Sequence, residues 1–182
     1  MESIITVPNP LLRKKSTAIA KVDKKIFALI SAMEKTIGHR GVGLSSVQIG
    51  EPLRLFILRH SPKNPPISFI NPVITFFSTE LLTHVPRTDN PYEGCLSVPK
   101  YWGEVNRSKE IAISYNTVEE GKLVYKQEKF SGFPAIVIQH EYDHLEGVLF
   151  IDRIIQQKGK LYYATGKKDE KGKEIWEKVR LF

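Results

Sequence analysis

Residues 139–147 read Gln-His-Glu-Tyr-Asp-His-Leu-Glu-Gly, and this stretch restricts the fold more than any other. On a helix, residues i and i+4 stack on one face, so His140 and His144 can both offer a ring nitrogen to one metal ion. Glu141 lies one step round, close enough to reach a water on that ion without being a ligand. His-Glu-x-x-His thus supplies two ligands and one general base. Phe133, Ile136 and Val137 precede His140 by seven, four and three residues, an apolar stripe at helical spacing. Ser131 is placed to cap the helix, Pro134 is tolerated in its first turn, and Gly147 stands where a helix stops. The competing reading is two core histidines on an amphipathic helix.

What surrounds this stretch is ordinary for a water-soluble chain. The 182 residues suit one domain with a real core, and 41% are hydrophobic. No apolar run approaches the ~18 residues of a membrane span. Arg13, Lys14 and Lys15 come too late for a signal peptide, so a cytosolic protein or one of an organelle interior is expected. One cysteine excludes an internal disulfide and agrees with a reducing compartment. The net charge is +7, and residues 156–182 carry eight basic against four acidic side chains. Such a balance favours anionic surroundings such as a ribosome, or is simply a solvated lysine-rich surface. Neither DNA nor a membrane is an expected partner.

Val22, Ile26, Leu29, Ile30, Met33 and Ile37 keep helical spacing between a capping Asp23 and a terminating Gly38. Glycines at 41 and 43 open the run to Gly50 and allow a close backbone approach, with Gln48 as the polar group able to donate to an oxygen. Strands are expected over 53–58, over 67–70 and 73–77 (broken by Asn71-Pro72), and over 81–85, followed by a loop at 86–91. A hairpin is expected from 111–115 and 122–130, closed near Glu120-Gly121. The tail from 156 onward reads as a second β-hairpin, although Ile175 and Val179 also fit a helix.

A catalytic metal usually has a third protein ligand and an open position. Val148-Leu149-Phe150 after Gly147 excludes a third histidine at the Gly-x-x-His position. A distant Glu on a second helix is one remaining choice; Cys95, in Glu93-Gly94-Cys95-Leu96-Ser97, offers another, a thiolate, and a thiolate with two imidazoles suits zinc or ferrous iron.

With these pieces in order, the chain resembles the peptide deformylases. That family has Gly-φ-Gly-φ-Ala-Ala-x-Gln, then Glu-Gly-Cys-φ-Ser, then Gln-His-Glu-φ-Asp-His-φ-x-Gly. Here stand Gly41-Val-Gly-Leu-Ser-Ser-Val-Gln48, Glu93-Gly-Cys-Leu-Ser97 and Gln139-His-Glu-Tyr-Asp-His-Leu-Glu-Gly147. The departure is Ser45-Ser46, where alanines are usual. Trp102 also stands where many bacterial members carry arginine, and the likeness covers about residues 7–155. The resemblance implies a single α+β catalytic domain, with antiparallel or mixed sheets packed around the metal-site helix and a basic tail over 156–182. It implies removal of the formyl group from formyl-Met nascent peptides, with release of formate. Cys95, His140 and His144 would bind the metal: Fe2+, with Zn2+, Ni2+ or Co2+ as substitutes. Glu141 would be the base and acid, Gln48 and the Leu96 backbone N–H would stabilise the oxyanion, and Gly43 would bind substrate backbone.

The stripe Phe133, Ile136, Val137, together with Val42, can form an apolar pocket for the Met side chain, or the stripe can serve as core. Glu93 and Arg107 can pair and hold the Cys95 loop, unless Arg107 has an ordinary surface role. Weak, salt-sensitive ribosome association follows from substrate logic and charge. The rival readings are a zinc peptidase and a basic binding protein with a structural or degenerate Cys-His-His site. A structural site usually needs a fourth protein ligand, and His39, His60 and His84 lie outside any matching motif.

Overall fold

The computed structural model describes residues 3–38, 41–59, 64–83, 92–172 and 174–181. His39, His60, His84 and the loop expected at 86–91 lie outside them. In chain order the elements are α1 (Lys24–Ile37), β1 (Gly43–Ser45), β2 (Leu55–Leu58), β3 (Ile67–Phe77), β4 (Leu81–Leu82), β5 (Glu93–Cys95), β6 (Val98–Gly103), β7 (Arg107–Ser108), β8 (Glu110–Glu119), β9 (Lys122–Ser131), α2 (Phe133–Leu145), α3 (Phe150–Gln157), β10 (Leu161–Lys168) and β11 (Glu174–Val179). One antiparallel sheet has the order β1-β2-β3-β8-β9, a second has β11-β10-β6-β5, and β4 pairs with β7. This is the α+β architecture expected, with α2 against the larger sheet. Among the described residues no helix is long and apolar enough to cross a membrane.

Local chemistry accounts for most boundaries. Asp23 caps α1 by accepting from the N–H groups of Lys25 and Ile26, and Gly38 ends it. The β8–β9 hairpin turns through Glu120 and Gly121, both at positive φ, which suits a two-residue turn between right-twisted strands. α2 stops at Leu145, and Gly147 follows at φ 72. A Cβ on Gly147 would overlap the Arg13 carbonyl, so position 147 needs glycine for both its dihedral and its packing.

Three expectations are corrected. Ser131 does not cap α2, because it belongs to β9; Gly132 takes the cap position with no side-chain hydrogen bond, and Pro134 occupies the first turn. Asn71-Pro72 does not break the strand. β3 runs through it with a register shift, because the Asn71 amide accepts from the Ile19 N–H and donates to the Ile19 carbonyl at 2.8 Å each, holding a positive φ of 48 inside the sheet. The helix α3 was not foreseen, and it spans the boundary expected at 155/156.

Three apolar clusters hold these layers. Phe56, Phe69, Ile113 and Tyr115 of the larger sheet pack on Ala135, Val137 and Ile138 of α2. Ile30, Met33 and Ile37 of α1 pack on Leu44, Leu55 and Ile70. Leu12, Val98, Leu149, Phe150, Ile154 and Leu161 join the smaller sheet to α3. The large side chains among these with no exposure, such as Phe56, Phe69, Leu55 and Leu149, each contribute about 1.5–3 kcal/mol relative to exposure. The second cluster carries β1 and the third carries Cys95 of β5, and both strands present residues to α2, where the site forms.

Candidate active site

Cys95 ends β5, and a bulge between Gly94 and Cys95 turns the strand there. His140 and His144 lie one turn apart on α2. Their ligating atoms and the Cys95 Sγ all fall within 4.8 Å of one another, and this is the group of that kind found among the described residues. Cys95 Sγ is 3.2 Å from His144 Nε2 and also receives the Ser97 N–H at 3.4 Å.

The surroundings decide which nitrogen is free. His140 Nδ1 lies 2.6 Å from Glu93 Oε1, which directs Nε2 away from that partner. Burial disfavours charge on this ring, but the Glu93 carboxylate and Cys95 outweigh it and hold the His140 pKa well above the ordinary value. For His144, burial and then the positive charges of His140 and Arg107 push the pKa well below the ordinary value, so that ring is neutral. His144 Nδ1 is buried with no hydrogen-bond partner among the described residues. A thiolate-capable sulfur, a neutral imidazole and a carboxylate-backed imidazole at this spacing fit a divalent cation.

Behind the ligands lies a buried ion network. Arg107 donates to both oxygens of Glu93, at 2.6 and 2.8 Å, and its third nitrogen donates to Asp143 at 2.8 Å. Arg153 donates to both oxygens of Asp143 and shares Oδ2 with Arg107. Burial opposes ionisation of Glu93, but the Arg107 charge and hydrogen bonds prevail and hold its pKa well below the usual carboxylate range. Arg107 is 5% exposed, so its surface alternative is excluded. Asp143 and Arg153 were missed from sequence. The signal was present, since Asp143 is an acid inside a motif on a buried helix and therefore needs a cation.

The other wall of the site comes from β1 and the 3-10 turn Ser46–Ile49. The Gln48 side-chain oxygen accepts the Ser45 N–H at 2.8 Å. That orients its nitrogen toward Ser97 Oγ at 3.1 Å and Cys95 Sγ at 3.6 Å. Ser45 Oγ is 2.8 Å from Glu141 Oε2 and 2.9 Å from the Glu141 carbonyl oxygen. Burial raises the Glu141 pKa, only partly opposed by the His140 charge and the Ser45 hydrogen bond. A Cβ on Gly43 would overlap Glu141 Oε1, so the carboxylate reaches this position only past a glycine. Ser97 and the Ser45 hydroxyl were not assigned to the site from sequence.

A cavity of ≈ 550 Å³ opens onto these groups. Val42, Gly43, Gln48, Cys95, Leu96, Phe133, Ile136, Val137, His140 and Glu141 line it, while His144 is 1% exposed behind Cys95. Val137 also belongs to the core cluster and Phe133 packs against it, so these stripe residues face both ways. Tyr92 and Trp102 form part of the wall and contact Trp176 of β11.

An acid beside a cation-binding cluster, at the floor of a largely apolar cleft, is equipment for hydrolysis, and the class is that of the metal-dependent hydrolases. Comparison with known proteins narrows it. The polypeptide deformylase family model matches residues 1–160. The chain is 37% identical over 186 aligned positions to the peptide deformylase of Bartonella tribocorum, covering 98% of each. The crystal structure of the Thermotoga maritima peptide deformylase superposes with a TM-score of 0.74 at 37% identity, covering 84% of this chain and 97% of that one. A class I type b peptide deformylase from Acinetobacter baumannii, solved with Met-Ala-Ser bound, superposes with a TM-score of 0.72 at 31% identity, covering 85% and 98%. The chain belongs to the peptide deformylase family, metal-dependent enzymes that remove the N-formyl group from formyl-Met of nascent polypeptides and release formate. The basic binding protein with a structural metal site is not favoured.

Proposed function

We propose that Cys95, His140 and His144 hold the metal and that Glu141 is the general base and acid of the deformylation. The clustering of those three ligand atoms, with Cys95 and His140 opening together with Glu141 onto one cavity and His144 buried behind them, carries this reading. A divalent cation held there supplies a Lewis acid that lowers the pKa of a water molecule. Glu141 takes a proton from the attacking water and later gives it to the leaving amine. Gln48 and the Leu96 backbone N–H donate to the formyl oxygen as charge develops on it. The Gln48 amide has two N–H groups: one keeps Ser97, and the other, on a nitrogen 3.6 Å from Cys95 Sγ, is the one that turns to substrate. Gly43 meets the substrate backbone, and Val42, Phe133, Ile136 and Val137 take the Met side chain. The Met-Ala-Ser bound to the Acinetobacter enzyme supports a peptide in this cleft.

Fe2+ is the proposed native ion, with Zn2+, Ni2+ or Co2+ as substitutes. An iron–thiolate centre would be oxygen-sensitive through both the metal and Cys95. The whole chain is proposed to act as one catalytic domain in the cytoplasm, with weak, salt-sensitive association with the ribosome through its basic surface.

The test is formate release from a formyl-Met tripeptide by anaerobically purified, iron- or nickel-loaded protein, beside Glu141→Gln. Glu141→Gln is expected to keep its metal and lose about 10³-fold or more in kcat. Parental turnover by Glu141→Gln would refute the role of Glu141.

A further inference from the structure

We propose that Ser45 is a positioning residue for the reaction: its hydroxyl holds Oε2 of Glu141 and leaves Oε1 as the oxygen that works in the cleft. The proposal rests on the reading of Glu141 as the base. Strand alternation is the starting point. Residues i and i+2 of a strand share a face, so Gly43 and Ser45 both present to α2 while Leu44 turns into the core with no exposure. The two positions meet the two oxygens of one carboxyl group. Gly43 leaves room for Oε1 on the cavity wall, and Ser45 Oγ binds Oε2 at 2.8 Å.

The hydroxyl also lies 2.9 Å from the Glu141 carbonyl oxygen, but it has a single proton, and while Glu141 is a carboxylate the stronger acceptor is Oε2. Ser45 has no exposed surface and Glu141 only 3%, so little water is available to replace this bond. The same residue orients Gln48 through its backbone N–H. Residue 45 thereby sets the base through its side chain and the oxyanion donor through its main chain. Alanine, usual at this position in the family by the motif above, would keep the second function and lose the first. In this chain the orientation of Glu141 therefore depends on a hydroxyl.

The experiment compares the metal-loaded parent with Ser45→Ala, Glu141→Ala, the double variant and Glu141→Gln. Ser45→Ala should fold, since the smaller side chain suits the site. It is expected to retain its metal and to lose about tenfold in kcat with KM within about twofold, because a mispositioned base affects the chemical step rather than substrate binding. Its Tm should fall by about 3–6 °C in the parent background and by less than half as much in the Glu141→Ala background, since the lost bond needs the carboxylate. An unchanged kcat, or an equal fall in Tm in both backgrounds, overturns the proposal. If Ser45→Ala is fully active while Glu141→Gln is dead, only the role of Ser45 fails. If Glu141→Gln is fully active, the role of Glu141 fails and this one with it.

Discussion

On one side of the cleft, Cys95 and His140 are backed by the buried Glu93, Arg107 and Asp143, joined by Arg153, whose side chain is 35% exposed. On the other side, Gln48 and Glu141 are held by Ser45 and Ser97, which carry no charge. The two walls share a cavity but obey different rules. A buried ion network is stable only when complete, because any member left alone is an uncompensated charge in a medium that solvates it poorly. Hydrogen bonds from uncharged donors cost roughly 1 kcal/mol each when lost, or about 1.5–3 where the acceptor is a carboxylate as at Glu141, and can be exchanged singly. The metal-ligand wall is therefore rigid and intolerant, whereas the wall carrying the base can be adjusted without endangering the fold. Ser45-Ser46, where alanines are usual in the family, falls on the adjustable wall.

The contrast can be broken most forcefully at Arg107. Arg107→Met leaves Glu93 without its buried cation and Asp143 with Arg153 alone. It is expected to cost about 3–5 kcal/mol of stability, read by denaturant unfolding, with weaker metal retention on gel filtration. A loss below about 1 kcal/mol would mean that the two walls do not differ. On the neutral wall, Gln48→Leu should reduce kcat/KM by about 10²–10³ and leave metal content intact, with a much smaller shift in the unfolding midpoint.

Glu146 sharpens the comparison from outside. It pairs with Lys15 at 2.7 Å and Arg54 at 2.6 Å, the same ion-pair chemistry as Arg107 and Glu93 but with 28% of its side chain exposed. Burial opposes its ionisation, yet the hydrogen bonds from Lys15 and Arg54 prevail and lower its pKa. A carboxylate with a depressed folded pKa adds stability above its unfolded pKa, and the gain is lost as pH falls through the folded value. Glu146→Gln should therefore cost less than about 1 kcal/mol at neutral pH, and parent and variant should converge in acid, below the ordinary carboxylate range. A gap that widens toward low pH would contradict this.

The elements legible in the sequence are those set by neighbours along the chain. Asp23 and Gly38 bound α1, Glu120-Gly121 closes the β8–β9 hairpin, and Gly147 ends α2. Each depends on a local dihedral or a local cap. The strand β3 was legible only in halves, because what carries it through Asn71 is a pair of hydrogen bonds to Ile19, 52 residues away. Ser131 had the right chemistry for a cap, but β9 pairing claimed it first. Asp143 stood within the central motif and was passed over because its partners, Arg107 and Arg153, meet it only in the fold.

The chain's own order of residues determined that His140 and His144 share a helical face with Glu141 beside them, since a helix has a fixed period. It also determined, through three ordered motifs, the family. The tertiary structure alone decided how these pieces are held. The sheets bring Cys95 to within 3.2 Å of His144, 49 residues on, and set the Ser45 hydroxyl on Glu141 across a separation of 96. No local spacing encodes such contacts, because they depend on which strands pair and on where the core places α2 between them.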